Sequence, residues 1–137
     1  MERQGFIIAA GIIFVLMASG CIQDGEDDGK INVTNETLFI EIGDTIPEAE
    51  CSERGIEGNV IIIHKTGCPA CAATLPKLRE LETELGMAFE YYDAAVTSEL
   101  NSLMEKYNIL PYHVPSVIIN CIVYGPKEKE EYRSLLG

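Results

Sequence analysis

The chain has 137 residues and carries 22 Asp and Glu against 10 Lys and Arg, a formal net charge of -12 at pH 7. A surface this acidic repels phosphates, which argues against a nucleic-acid partner and favours solubility. The first 20 residues are far more apolar than the rest, and the remainder is the size of one small domain.

Gly5 to Met17 form an apolar run behind a short head carrying Arg3, and Ala18, Ser19 and Gly20 precede Cys21. That is the layout of a secretory signal, and residues 1–20 are expected to be one. The run is shorter than the about 20 apolar residues a spanning helix needs. Met17-Ala18-Ser19-Gly20-Cys21 resembles the lipobox of lipoproteins, which implies that Cys21 takes a lipid and becomes the new N-terminus. The alternative is a plain signal with an incidental cysteine. Both imply export, and the lipidated form implies anchoring at the outer face of the cytoplasmic membrane, at the cell surface or in the periplasm.

Residues 21–36 are polar and acidic, with Asp24, Glu26, Asp27 and Asp28 close together, and read as a flexible tether. Two sequons, at Asn32 and Asn35, make those side chains candidate glycosylation sites. Residues 37–137 then show an α/β pattern. Thr37 to Ile42 reads as a strand closed by Gly43-Asp44, and Pro47 to Arg54 as one or two helical turns with Pro at the first position. Val60 to Ile63 is the continuous β-branched run of a strand covered on both faces.

Leu75, Leu78, Leu81 and Leu85 recur at helical spacing, with Gly86 where a C-cap belongs and Pro76 placed to bend the helix. Met87 to Tyr92 is a further predicted strand. Asp93 is placed to cap a helix whose inner face is Val96, Leu100, Leu103, Met104 and Tyr107. Two strands, Ser116 to Ile119 and Ile122 to Tyr124, join through Asn120-Cys121, and Lys127 to Leu136 reads as a charged terminal helix. The expected order is βαβαβαββα.

Besides Cys21 the chain holds Cys51, Cys68, Cys71 and Cys121. Cys68-Pro69-Ala70-Cys71 follows a predicted strand and opens a predicted helix. Unpaired N–H groups and the positive end of the helix dipole favour a thiolate on Cys68, and Lys65 and His64 just upstream add positive charge. Cys71, one turn further in, is placed to resolve a mixed disulfide. A lone Cys-x-x-Cys is also half a zinc site, but the chain has no second ligand pair; His64 and His113 are not in finger spacing, and no metal or cofactor is expected. Cys51 and Cys121 are candidates for a second disulfide, for separate thiols or for an electron relay.

The strand Val60 to Ile63, the motif Cys68 to Cys71, Pro76 five residues beyond it, and Lys106-Tyr107-Asn108-Ile109 leading to Val114-Pro115-Ser116-Val117-Ile118 together resemble the thioredoxin superfamily over roughly Thr37 to Gly137. The resemblance implies a thioredoxin-like fold, a central mixed β-sheet flanked by helices. It also implies a cis Val114–Pro115 bond facing Cys68, with Val114, Pro115, Pro69 and Ala70 forming the substrate-binding surface; Tyr112 and His113, just before Pro115 in the chain, are placed to line a substrate groove. The string Lys65 to Cys71 is closer to glutaredoxin than to thioredoxin, yet no Gly-Gly-x-Asp glutathione segment follows Pro115. Ile62 stands where thioredoxins keep a buried carboxylate, so Glu90 or a water would have to accept the Cys71 proton.

The expected activity is that of a monomeric, membrane-anchored, extracytoplasmic thiol–disulfide oxidoreductase. Its partners would be cysteine-containing exported proteins or a membrane redox protein. The alternatives are a carrier of a soft metal such as Cu(I) and a redox-silent interaction module.

Overall fold

The computed structural model describes residue 31 and residues 33–137. The signal peptide, Cys21, the tether as far as Lys30 and the sequon at Asn32 lie outside the described residues. No helix among the described residues is long and apolar enough to cross a membrane.

The described elements run β1 (Leu38–Ile40), α1 (Glu48–Glu53), β2 (Ile61–His64), α2 (Pro69–Leu85), β3 (Glu90–Asp93), α3 (Thr97–Tyr107), β4 (Ile109–Pro111), β5 (Ser116–Ile119), β6 (Ile122–Tyr124) and α4 (Lys129–Leu136). The class is α/β with mixed sheets. Four strands form one sheet in the order β3-β2-β5-β6, with β2 parallel to β3 and antiparallel to β5. A separate parallel pair joins β1 to β4, Leu38 opposite Ile109 and Ile40 opposite Pro111.

Strand β4 is absent from the predicted order. The stretch Ile109 to Pro111 is short and ends in a proline, and only its pairing with β1 makes it a strand. Other boundaries move inward for related reasons. Val60 and Phe89 are buried but flank their strands, since the ladder between β2 and β3 begins only at Ile61 opposite Glu90. Pro47 sits at the N-cap of α1 rather than inside it, and α4 begins at Lys129 behind a reciprocal capping box between Glu128 and Glu131. Thr34 to Glu36, assigned to the tether, instead belong to a turn: the Thr34 N–H donates to Thr37 Oγ1 at 2.9 Å, and Arg54 Nη2 donates to the Glu36 carbonyl at 2.8 Å.

Period-2 alternation in β2 divides the core. Ile61 and Ile63 face α1 and α3 in a cluster with Cys51, Leu103 and Tyr107. Ile62 faces the other way, with Leu78 and Leu81 of α2 and Tyr132 of α4. All three isoleucines are fully buried, as a strand covered on both faces requires. Helix α2 continues through Pro76 to a left-handed Gly86 at φ 65°, and its Leu85 is exposed rather than part of the core.

Residues Gly43 to Ile46 run alongside β6 through hydrogen bonds to Val123 and Cys121. That path brings α1 to the hairpin between β5 and β6, whose two loop residues, Asn120 and Cys121, both have positive φ, at 52° and 66°. Two consecutive left-handed residues are the geometry of a type I′ hairpin turn, suited to the strand twist. Cys51 and Cys121 meet there in a disulfide with a Cα–Cα distance of 6.1 Å.

Candidate redox site

The end of β2 and the start of α2 form the site. β2 stops at His64, a loop from Lys65 to Gly67 turns with Gly67 at φ 90°, and Cys68 becomes the N-cap of α2 with Pro69 following. Pro69 fits because the first helical N–H has no partner in the helix to lose. Cys68 is partly exposed and Cys71 is 1 % exposed, and both are free thiols.

The two sulfurs are electrostatically unlike. The Cys71 thiol and its backbone N–H both donate to Cys68 Sγ, the latter at 3.2 Å, and the Ala70 N–H and the Lys65 ammonium add to the effect. Led by the Cys71 thiol, these outweigh the opposing effect of burial and hold the Cys68 thiol below its ordinary range. Burial, and then the hydrogen bond Cys71 spends on Cys68, push the Cys71 thiol up to about 11. Charge in the reduced pair therefore resides on the outer sulfur, which is partly open to solvent.

Glu90, considered from sequence as the acceptor for the Cys71 proton, is not at the pair. It starts β3 opposite Ile61 and turns to the α3 side, where Tyr92, Tyr107 and Lys106 donate to it at 2.7 to 3.1 Å. Burial opposes its charge, but those three donors outweigh burial and hold the carboxyl below its usual range. The carboxylate whose charge reaches Cys71 is Asp93, at the other end of the same strand and opposite His64. Asp93 does not cap α3 as expected; Val96 occupies that position, 38 % exposed and outside the core. The Asp93 carboxylate instead accepts the Thr66 N–H at 3.1 Å, the Thr66 hydroxyl and the Ala95 N–H at 2.9 Å. His64, assigned to Cys68, acts by its charge on Asp93 and packs edge-on against Tyr91.

The Val114–Pro115 peptide bond is cis. Ser116, fully buried behind it and opposite Ile63 of β2, donates from Oγ to the His113 carbonyl at 2.6 Å, which ties down the segment from His113 to Pro115. Because β5 is antiparallel to β2, this segment lies at the same end of the sheet as the Cys68 loop. Tyr112 is 62 % exposed and stacks on Phe39 at 5.5 Å, an apolar surface on the adjoining β1–β4 pair. Asn35 is exposed, but Thr37 of its sequon is buried and donates to Asn108 Oδ1.

Sequence reasoning missed Thr66, Asp93 and Ser116 as members of this site. A signal was present for Asp93 alone: an acid ending a strand parallel to the one before the cysteines must lie beside their loop. Among the described residues no group of three or more His, Cys, Asp or Glu side chains converges as a metal ligand set. Comparison with protein-family models, with curated proteins and with solved structures gives no match.

Proposed function

We propose that this chain is a thioredoxin-fold thiol–disulfide oxidoreductase, exported and held at the membrane by a lipid on Cys21, acting on cysteines of exported proteins or on a membrane redox partner. The observation that carries the reading is the asymmetry of the pair: an accessible, thiolate-prone Cys68 at a helix N-cap and a buried, protonated Cys71 one turn behind it.

The chemistry follows from that asymmetry. The Cys68 thiolate attacks one sulfur of a substrate disulfide, forming a mixed disulfide and expelling the other substrate sulfur as a thiolate. Cys71 gives up its proton and attacks Cys68 Sγ. A Cys68–Cys71 disulfide forms, the mixed disulfide breaks, and the substrate leaves as a dithiol with the two electrons of the pair. Run backwards, the same steps oxidise a substrate dithiol. The cis Val114–Pro115 segment, at the same sheet end, supplies an edge on which an extended substrate chain can pair.

The test is a redox titration of residues 22–137 across dithiothreitol buffers, counting alkylated thiols by mass. A reversible couple between roughly -270 and -120 mV, lost in Cys68→Ser, is the expected result. A couple below about -300 mV, or thiols masked by one equivalent of Cu(I), would replace this reading with a structural or metal-carrying one.

A further inference from the structure

We propose that Asp93 is a positioning residue for the exchange reaction: from the end of β3 it fastens the loop that leads to Cys68 and restrains the step in which Cys71 releases the mixed disulfide. The inference rests on the exchange chemistry proposed above and concerns which residue governs its second half.

The geometry is a bridge two residues long. The Lys65 backbone N–H favours the Cys71 thiolate, and the next residue, Thr66, donates both its N–H and its hydroxyl to the Asp93 carboxylate. Cys68 in turn closes a turn on the Lys65 carbonyl, its N–H donating at 3.2 Å. One loop is therefore tied to the backbone of Cys68 on one side and to a single buried carboxylate on the other. Thr66 is itself exposed, so its fixed position depends on Asp93 rather than on packing.

Asp93 is held in turn. It is 9 % exposed, its other donor is the Ala95 N–H, and its own N–H donates to Glu99 Oε1 of α3 at 2.7 Å. The titratable groups facing it are His64 of β2, Glu99 of α3 and Cys71 of α2. Three donors hold the carboxyl below its ordinary range, which makes it a poor acceptor for the Cys71 proton. What it exerts on Cys71 is like-charge repulsion against the thiolate that must form, added to the dominant effect of burial. The result is a mixed disulfide held longer than burial alone would hold it.

This assigns Asp93 a role opposite in sign to that of a general base, and the two roles separate cleanly. Asp93→Asn keeps an acceptor for the Thr66 and Ala95 N–H groups and removes the charge. The assay follows reduced protein with Ellman's reagent: Cys68 forms a mixed disulfide and releases one thionitrobenzoate, and Cys71 then forms the Cys68–Cys71 disulfide and releases the second. The second phase is recorded from pH 6 to pH 11. Asp93→Asn is expected to shift its midpoint down by about half a pH unit, since the charge of Asp93 is the smallest of the effects acting on Cys71. At pH 7 the second phase should run about twofold faster, since roughly threefold more thiolate is partly offset by its lower nucleophilicity.

A slower second phase would make Asp93 the proton acceptor and overturn the proposal, and so would an unchanged one. Thr66→Val, which removes the hydroxyl and leaves Asp93 charged, should leave that midpoint in place while lowering the rate of the first phase; a shifted midpoint there would likewise count against the assignment. Failure of wild-type protein to release thionitrobenzoate in two steps would instead remove the oxidoreductase reading itself.

Discussion

The two cysteine pairs of this domain are built from the same atoms and set to opposite tasks. Cys51 and Cys121 join segments 70 residues apart, with Cys51 wholly buried within α1 and Cys121 at a hairpin apex. Cys68 and Cys71 lie within one helical turn, where a bond between them constrains little and the backbone stabilises a thiolate. Strand β5 separates the two: Pro115 stands at one end and Cys121 beyond the other, and the strand alone spans about 14 Å from Pro115 to Ile119 at about 3.4 Å per residue. Thiol exchange needs direct sulfur contact, so the second pair is not a relay to the first within one molecule. Loop length decides which pair is a staple, and position at a helix start decides which is reactive.

Removing the staple is the most drastic way to test that division. A disulfide closing a loop of 70 residues contributes about 4 kcal/mol through the lost freedom of the unfolded chain. Cys51→Ala with Cys121→Ala should lower the urea midpoint accordingly while leaving the thionitrobenzoate kinetics of Cys68 at 25 °C close to wild type. A matching loss of Cys68 reactivity in protein shown to be folded would mean that the two ends are coupled.

Within the reactive pair, pH separates the two sulfurs. Because the Cys68 thiol is held below its ordinary range, its iodoacetamide rate should fall only as pH drops through a midpoint lower than that of a free thiol. Cys71 should resist until pH approaches about 11. Mass spectrometry should therefore count one adduct on native reduced protein at pH 7.5 and two only after unfolding. Equal labelling of both under native conditions would contradict the asymmetry on which the proposed function rests.

The smallest effect concerns the surface behind the pair. Ser116→Ala removes the hydrogen bond that ties His113 to β5, a loss of about 1 kcal/mol. Its expected signature is a few-fold higher KM for a peptide disulfide with kcat little changed, since the segment is loosened but neither sulfur is touched. A fall in kcat at constant KM would place Ser116 nearer the chemistry than its geometry indicates.

Much of this arrangement is local and therefore written in the chain. The isoleucines of β2, the helical spacing of Leu75, Leu78 and Leu81, the Gly86 cap and the adjacency of Cys68 and Cys71 to a strand end each depend on residues a few positions apart. The cis bond before Pro115 entered through family resemblance, since no local pattern distinguishes it from a trans proline.

What the chain alone left open were the facts that join distant segments. Cys51 meets Cys121 only because residues Gly43 to Ile46 follow β6. Ile109 to Pro111 is a strand only because β1 lies beside it. Glu90, named from sequence, and Asp93, read there as a helix cap, are three residues apart, and the register of β3 against β2 turns the first to the α3 side and sets the second against the loop before Cys68. Propensity and spacing act along a few residues, whereas pairing register and strand twist act between segments, and the partner of the buried thiol is decided by the latter.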